Sequence, residues 1–286
     1  MKQTIDLHLH TRASDGTDTP LELPEKLREC GITTFAVCDH DTIDGAMEIE
    51  RYADLTGLQF VRGVEFSCRC EGKKCHILGY GYDPEIPAFQ AVLEHGRRLR
   101  LHKQEQRLRY LQEEHGIYFT EAELDWLNSL NSVGKPHLGK LILDRGLGDS
   151  LTEVIQNYIN GCPSLDDRIP AAEAIDGILQ AGGIPVWAHP LGGEGERRLP
   201  PDEFRARLTL LRAAGIRGLE CCYSRYGREE MELLLGAAQA CGLLVSGGSD
   251  YHGANKDIPL GTLNAIGEPV GEETLTLLDE LKNVTN

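Results

Sequence analysis

The sequence Thr4-Ile5-Asp6-Leu7-His8-Leu9-His10 has the alternating pattern of a β-strand. Side chains on a strand point to opposite faces in turn, so Ile5, Leu7 and Leu9 would share an apolar face. Asp6, His8 and His10 would share the other face. Two imidazoles placed in this way can present nitrogens to one metal ion, and we expect Asp6 to accept a ring N–H and fix the tautomer. A lone His-x-His also fits a half-exposed strand, so the remaining sequence must separate the two interpretations.

Composition excludes several classes of protein. The chain has 286 residues, a hydrophobic content of 41% and a formal net charge of −16. This charge argues against a general nucleic-acid coat, which would present basic surfaces to phosphates. No run approaches the roughly 20 apolar residues of a membrane span, and no secretory leader is evident, so we expect a cytoplasmic protein without membrane contact. The nine cysteines are scattered, which predicts reduced thiols.

The order of predicted elements indicates an α/β fold with a helical insertion. Residues 4–64 show a strand-helix-strand-helix-strand pattern, with helices from about Thr19 to Cys30 and from Thr42 to Thr56. A hairpin turning at 71–74 follows. Residues 83–168 contain only helical patterns, at 86–115, 121–129, 136–145 and 150–160. The alternation then returns, with helices predicted at 171–181, 201–214, 228–241 and 271–282 and strands at 184–188, 216–220 and 243–246.

Metal-ligating residue types follow the predicted strands in succession. They are His8 and His10, Asp39-His40-Asp41, Glu65, His189-Pro190 and Ser249-Asp250-Tyr251-His252. In a parallel barrel the carboxyl ends of the strands meet on one face, where active sites are built. Imidazole with carboxylate suits zinc, manganese or iron, and so many ligands require more than one ion. Such clusters support phosphoryl transfer, and carbonyl hydrolysis is the rival chemistry.

The ordered motifs resemble those of the PHP (polymerase and histidinol phosphatase) family. They are Asp6-Leu7-His8-Leu9-His10, Ser14-Asp15-Gly16, Asp39-His40-Asp41, Gly63-Val64-Glu65, His76-Ile77-Leu78-Gly79, Ala188-His189-Pro190 and Gly248-Ser249-Asp250-Tyr251-His252. The resemblance covers essentially the whole chain. It implies an α/β fold, a distorted (β/α)₇ TIM-like barrel formed by residues 1–82 and 169–286, with residues 83–168 as an inserted helical cap for substrate recognition.

The resemblance also implies how the ligands are shared among two to three divalent ions, Mn²⁺, Zn²⁺ or Fe²⁺, with Mg²⁺ also compatible. By similarity, the first ion would be held by His8, His10, Glu65 and Asp250. The second would be held by Glu65, His76 and His189, and the third by Asp15, His40 and His252. The residues expected to be catalytic are His8, His10, Glu65, Asp250 and His252.

Substrate contacts are expected in the cap. Relatives place a phosphate-contacting histidine where this chain has Lys135-Pro136-His137, and Arg97 or Arg98 would assist it. These arginines belong to a basic run over 97–109 that contains only Glu105 as an acid, so a solvated helix face is an alternative. Relatives often have Gly-Lys-Pro where this chain reads Gly161-Cys162-Pro163. A basic group is therefore missing at Cys162, and a second phosphate would be held differently or be absent.

These features predict a metal-dependent phosphoesterase without an obligate protein partner. The resemblance is greatest to bacterial enzymes that act on 3′,5′-nucleoside bisphosphates or on the 5′ ends of short RNAs. We therefore expect hydrolysis of a nucleotide 3′-phosphate by a metal-activated hydroxide. Alternatives are histidinol phosphate or another small phosphomonoester, an oligoribonucleotide end, and a non-catalytic metal or nucleotide sensor. An amidohydrolase-type carbonyl hydrolase commonly needs a carbamylated lysine as its bridging ligand, whereas this chain has Glu65 there.

Overall fold

The computed structural model describes residues 3–130, 132–163, 168–193 and 195–284. The strands are β1 (Ile5–Leu9), β2 (Thr34–Val37), β3 (Gln59–Cys70), β4 (Lys73–Tyr80), β5 (Ile169–Pro170), β6 (Ile184–Ala188), β7 (Gly218–Tyr223) and β8 (Leu244–Gly248). The α-helices are α1 (Leu23–Cys30), α2 (Asp44–Tyr52), α3 (Pro87–His115), α4 (Glu121–Ser129), α5 (Lys135–Leu143), α6 (Leu151–Val154), α7 (Ala171–Gln180), α8 (Pro201–Ala213), α9 (Arg228–Cys241) and α10 (Leu277–Val284).

Seven strands form a nearly closed barrel in the order β1-β2-β3-β4-β6-β7-β8, and the short β5 pairs with β3. The chain beyond β8 completes the wall against β1. The Asp250 N–H donates to the His8 carbonyl at 2.8 Å, and the His10 N–H donates to the Tyr251 carbonyl at 2.9 Å. The predicted α/β class, a distorted seven-stranded barrel with inserted helices, is confirmed.

Strand β4 runs antiparallel to both of its neighbours, β3 and β6. The predicted hairpin is confirmed, and its turn consists of Glu71 and Gly72, which both have positive φ (47° and 70°). Such a turn is too short for a parallel crossover, so the strand must reverse. The early part of β4 therefore lies beside the carboxyl ends of its neighbours. His76 is paired with Ala188 at the end of β6, and so reaches the same end of the barrel.

Strand β1 departs from the predicted strict alternation, because its parallel pairing with β2 shifts register between Asp6 and Leu9. Ile5 and Leu7 pack in the barrel core, and Leu9 packs with α1 and α2 residues in a smaller apolar cluster. The polar residues of this segment are also buried: Asp6, His8 and His10 are each 0% exposed. Buried polar groups must be satisfied by hydrogen-bond partners or by a ligand.

Helices α3 to α6 surround an apolar cluster of their own. Its buried members include Leu111, Leu127, Leu138, Ile142 and Val154. Between β4 and β5, the part of the chain that the structure describes contains no strand. The start of α3 also packs in the barrel core through Phe89 and Val92. The division into a barrel and an inserted helical cap, with boundaries at residues 83 and 168, stays a prediction.

Some predicted bounds shift. Helix α4, helix α9 and strand β6 occur where predicted, whereas the helix expected from Thr19 begins only at Leu23, with a proline in its first turn. The stretch 150–160 is short α6 followed by a π-helical turn, Ile155–Ile159. The last predicted helix is divided into a 3₁₀ turn, Glu272–Thr274, and α10. Within the ranges described, every helix is too short or too polar to cross a membrane.

Candidate metal centre

The structure brings the nine predicted ligands together at one end of the barrel. We call this group of residues the metal centre. Eight of them fall into groups whose ligand atoms lie within 4.8 Å of one another. The groups are His8, His10, Glu65 and Asp250; His10, Asp15, His40 and His252; and His40, Glu65 and His76. The ninth, His189, has its Nε2 atom 3.1 Å from Glu65 Oε1. The assignment of each residue to an ion stays a prediction.

Glu65 is at the middle of the metal centre. It lies within β3 rather than at the predicted strand end, because β3 continues into the hairpin after its parallel pairing with β2. Its Oε1 atom is 2.8 Å from His76 Nδ1. Its Oε2 atom lies near three further ring nitrogens, on His8 (3.4 Å), His10 (3.3 Å) and His40 (3.1 Å). A carboxylate with histidines around both oxygens fits the bridging role that the family resemblance implies, and that role stays a prediction.

Glu220 orients His8, a role that we expected of Asp6. Glu220 Oε1 accepts from His8 Nδ1 at 2.8 Å, and Oε2 accepts the His189 backbone N–H at 2.7 Å. Neutral His8 then carries its lone pair on Nε2, which faces Glu65 and Asp250. The expectation for Asp6 was wrong, because its carboxylate accepts the backbone N–H groups of His8, Ser249 and Gly261. The sequence signal for Glu220 is a single acid within the apolar run 218–223.

Replacing Glu220 by Gln should weaken metal binding by roughly 10–100-fold, as for other residues that orient metal ligands. The amide keeps the shape but loses the charge that fixes His8. The apparent Mn²⁺ activation constant should rise while the rate at saturating Mn²⁺ recovers. Glu173→Gln, which alters a partly exposed carboxylate paired with His95, is the control. An unchanged activation constant would show that Glu220 has no such role.

The loop that carries Asp15 is held by Asp39, which is not among the predicted ligands. Asp39 Oδ1 accepts the Thr11 N–H at 2.8 Å and the Ser14 hydroxyl at 2.6 Å. A Cβ on Gly16 would lie 2.5 Å from the His10 carbonyl, so the loop folds tightly over β1. These contacts place Asp15 Oδ1 3.3 Å from His252 Nε2. His252 Nδ1 donates to the Asp250 carbonyl at 2.9 Å, which leaves Nε2 as the acceptor.

Charges within the metal centre favour a cation. Burial would raise the pKa of Glu65, but His76, His40 and His8 hold it well below its ordinary value. Burial lowers the pKa of His76 to about 4, so this ring is neutral and able to bind metal. Burial also acts to lower the pKa of His10, yet hydrogen bonds with Asp250 and Glu65 raise it to about 9. The surrounding carboxylates thus stabilise positive charge at His10, which a divalent ion supplies.

Unpartnered buried atoms support the same conclusion. Within the described part of the chain, His10 Nδ1, Asp15 Oδ1 and His40 Nδ1 have no hydrogen-bond partner. His189 and Asp250 also have positive φ, 28° and 57°, which is sparsely populated outside glycine. Bound ions would satisfy orphaned donors and acceptors of this kind. The residues fit divalent cations with nitrogen and oxygen ligands.

Sequence reasoning missed two lysines at the metal centre. Lys256 Nζ lies 2.6 Å from Asp250 Oδ2, which also accepts the Tyr223 hydroxyl at 3.0 Å. Lys74 pairs with Glu196. Lys74 and Lys256 both line the cavity of the metal centre, which has a volume of about 200 Å³. Lys256 follows the last motif by four residues, and Lys74 lies near the turn of the hairpin. In the sequence, only their charge indicated that they could lie at the metal centre.

The predicted substrate residues lie in different parts of the structure. Lys135 and His137 lie in the first turn of α5 on either side of Pro136, which lines the cavity of the metal centre. His137 Nδ1 accepts the Gly134 N–H at 2.9 Å, and the part of both residues in substrate binding stays a prediction. Arg97 lies in a separate cavity with Asp44 and Glu94, and Arg98 is exposed. The structure therefore does not bring these two arginines to the metal centre. Their part in substrate binding stays a prediction with no supporting contact.

Comparison with known proteins agrees with this geometry. Over 252 residues the chain is 31% identical to a 3′,5′-nucleoside bisphosphate phosphatase of Chromobacterium violaceum, covering 87% of each chain. It is 30% identical over 257 residues to a 5′-3′ exoribonuclease of Haemophilus influenzae, covering 88% of this chain and 91% of that one. A solved structure from Bifidobacterium adolescentis, assigned to the metal-dependent phosphoesterases, superposes with a TM-score of 0.82 at 26% identity, covering 99% and 97% of the two chains.

The barrel, the ligand clusters and these relatives define a metal-dependent phosphoesterase. The model of the PHP domain matches residues 6–160. The chain belongs to the PHP family.

Proposed function

We propose that this enzyme hydrolyses the 3′-phosphate of nucleoside 3′,5′-bisphosphates, using two to three divalent ions. The observation that carries the proposal is a second cavity, in the predicted cap, that is lined by basic side chains. Lys103, Arg107, Lys135 and Arg168 line a cavity of about 130 Å³, which we call the cation pocket. A nucleotide with one phosphate at the metal centre and one in this pocket would use both features.

The cation pocket is strongly electropositive. Among the residues that the structure describes, none of its four cations forms an ion pair with a carboxylate. Burial and the charges of Arg168, Arg100 and Arg107 lower the pKa of Lys103 to about 8. Burial and Arg100 likewise lower the pKa of Arg107 to about 10. Like charges held together in this way favour a bound anion, and a phosphate dianion would relieve the repulsion.

Cys162 lies in the same lining, where relatives often have lysine. Burial raises the pKa of its thiol, so it contributes no charge at neutral pH. Arg107 and Arg168 line the same pocket and supply positive charge near this position. The missing basic group therefore does not argue against a second phosphate, because other elements of the chain supply the cations.

The first turn of α5 lies between the metal centre and the cation pocket. Lys135 lines the cation pocket, and Pro136 lines the cavity of the metal centre. A Cβ on Gly134 would lie 3.4 Å from Asp15 Oδ2, so the start of α5 packs directly on a predicted ligand. A substrate that spans the first turn of α5 reaches both sites.

Divalent ions held by the metal centre would supply Lewis acidity and a water nucleophile of lowered pKa. The chain holds the ligands in their binding form, through Glu220 on His8 and the Asp250 carbonyl on His252. Lys74 stands at the cavity of the metal centre, where its ammonium could donate to a phosphoryl oxygen. In-line attack on phosphorus would break the P–O3′ bond and return a proton to O3′.

Arg107→Ala should lower kcat/KM for adenosine 3′,5′-bisphosphate by roughly 10-fold or more, because a charge-assisted contact to phosphate is lost. Hydrolysis of adenosine 3′-monophosphate, which has no second phosphate, should change little. Phosphate release with added Mn²⁺ measures both. Arg109→Ala removes an exposed arginine of the same helix and is the matched control.

Equal losses on both substrates would contradict a second-phosphate role for the cation pocket. A preference for histidinol phosphate over the bisphosphate would overturn the proposed substrate. That amine carries a positive charge which the cation pocket repels, so we expect the opposite order.

A further inference from the structure

Asp41 is the residue of the Asp39-His40-Asp41 motif that the metal centre leaves unexplained. It is not among the predicted ligands, yet its side chain is only 2% exposed. Its backbone has a positive φ of 54°, which is uncommon outside glycine, although aspartate adopts it more readily than most residues. Such a conformation persists where the surrounding contacts hold it in place, so the contacts of Asp41 indicate its role.

The segment around His40 is hydrogen-bonded to strand β3. The Asp41 N–H donates to the Glu65 carbonyl at 3.0 Å, and the Glu65 N–H donates to the Asp39 carbonyl at 3.2 Å. Asp41 Oδ1 also accepts the Ser67 N–H at 2.8 Å. These hydrogen bonds set the backbone of His40 directly beside Glu65, the residue at the middle of the metal centre.

Arg100 of α3 binds the other oxygen of the Asp41 carboxylate. Its Nε donates to Asp41 Oδ2 at 2.5 Å, and its Nη2 donates to the Ser67 hydroxyl at 3.0 Å. The planar guanidinium therefore joins two elements of the barrel with two donors of fixed geometry, which a lysine ammonium does not provide. A Cβ on Gly96, one turn earlier in α3, would lie 3.1 Å from Asp41 Cβ, so the helix packs directly on this residue.

The position of the His40 ring depends on these backbone contacts. Two other predicted ligands, His8 and His252, each have a hydrogen bond at Nδ1 that fixes the ring. Among the residues that the structure describes, His40 Nδ1 has no hydrogen-bond partner. Glu65 Oε2, which lies 3.1 Å from it, is itself predicted to bind metal. The ring is therefore placed through its own backbone, which the contacts of Asp41 hold.

We propose that Arg100 is a positioning residue for the metal centre: it fixes Asp41, and through Asp41 it holds His40 where a divalent ion can bind. This inference rests on the metal centre of the proposed function and does not depend on which phosphoester is hydrolysed. It also gives α3 a second role, because Lys103 and Arg107 of the same helix line the cation pocket. One helix then fixes the position of the cation pocket relative to a ligand of the metal centre.

Arg100→Ala should weaken Mn²⁺ binding at the site that includes His40 by roughly 10-fold, the lower end of the range for residues that orient metal ligands. The other ions should bind as in wild type, because contacts such as that of Glu220 hold their ligands separately. The EPR signal of free Mn²⁺ measures the number of bound ions and their affinities without any substrate. Arg109→Ala, which removes an exposed arginine of the same helix, is the matched control and should bind Mn²⁺ as wild type does.

Chemical rescue separates positioning from a general loss of packing. Guanidinium chloride at millimolar concentration should restore Mn²⁺ binding to Arg100→Ala, because the free cation can donate to both Asp41 and Ser67. NaCl at the same concentration should not restore it. Arg100→Lys keeps the charge without the two-donor geometry, so its Mn²⁺ affinity should lie between those of Arg100→Ala and wild type.

Asp41→Asn tests the link between Arg100 and His40. Asparagine also adopts positive φ and can still accept the Ser67 N–H, but it lacks the charge that Arg100 binds. It should weaken the same Mn²⁺ site, and the double variant with Arg100→Ala should bind no more weakly than the weaker single variant, because the two residues act as one unit. Circular dichroism checks folding, and Arg100→Lys and Asp41→Asn carry the same test if Arg100→Ala does not fold.

Each outcome decides the inference. Wild-type Mn²⁺ binding by Arg100→Ala, additive losses in the double variant, or a loss that guanidinium does not restore would overturn it. A raised KM for the bisphosphate with unchanged Mn²⁺ binding would also overturn it, since Arg100 would then only dock the cap. A weakened Mn²⁺ site that guanidinium restores and NaCl does not supports it. A wild type that binds Mn²⁺ but does not hydrolyse the bisphosphate would overturn the proposed substrate and leave the binding test of Arg100 unaffected.

Discussion

Glu65→Gln should reduce kcat/KM by roughly 10³-fold, which corresponds to about 4 kcal/mol of lost transition-state stabilisation. Gln keeps the volume of the side chain but removes the charge that faces five histidines. The NH₂ group of Gln would also face ring nitrogens that Glu65 satisfies as an acceptor. One of these is His76 Nδ1, which lies 2.8 Å from Glu65 Oε1. The expected result is loss of phosphate release together with a lower metal content per chain. Elemental analysis and initial rates measure the two effects.

Folding must be checked in the same variant, because Glu65 is 1% exposed. A wild-type circular dichroism spectrum would show that the barrel still forms. Glu50→Gln is the matched control, since Glu50 pairs with Arg62 on the barrel surface and contacts no predicted ligand. Its activity should stay within about twofold of wild type. Wild-type turnover by Glu65→Gln at saturating Mn²⁺ would disprove the role of Glu65 as a shared ligand.

Removal of divalent ions should both abolish activity and lower the melting temperature by roughly 10 °C. The acids at this end of the barrel, Asp15, Glu65, Glu220 and Asp250, are held close together, and bound ions would compensate for their repulsion. An ion present at about 1,000 times its Kd stabilises the native state by about 4 kcal/mol, which converts to a shift of this size for a chain of this length. Thermal unfolding with EDTA and with added Mn²⁺ measures the shift.

The chelation effect should be reversible and specific to the metal centre. Mn²⁺ added after EDTA should restore both activity and melting temperature. Glu65→Gln should show a smaller shift than wild type, because part of the ligand set has been removed. Full activity in EDTA-treated protein whose metal content is verified as negligible would contradict a metal-dependent reaction.

The metal centre was predictable to a large extent because its residues lie in short motifs at strand ends. The alternating pattern of residues 4–10 predicts His8 and His10 on one face from local geometry alone. The hairpin that carries His76 follows from turn residues in the sequence. The family resemblance then relates these separate motifs to one another, and the structure brings all nine residues together.

The contacts that orient and extend the metal centre were not predictable in the same way. Glu220 is a single acid in an apolar strand, and only the barrel sets it against His8 and His189. The basic run in α3 shows the same limitation. Arg100 contacts Asp41, while Lys103 and Arg107, at helical spacings of three and four residues, face the cation pocket. The sequence shows that these charges are clustered, but the face that is covered depends on how the helix packs.

From the sequence by itself, local periodicity and turn chemistry therefore determined the order of elements, and the residue types at successive strand ends indicated a metal site. The seven-stranded barrel and the full set of predicted metal ligands followed from the family resemblance of the ordered motifs. The tertiary structure decided that Glu220 rather than Asp6 orients His8, that Lys256 meets Asp250, and that the cap forms a cation pocket beside α5. Those properties join residues from distant parts of the chain, such as Lys103 with Arg168 and Arg100 with Asp41. They arise only when the cap packs against the barrel.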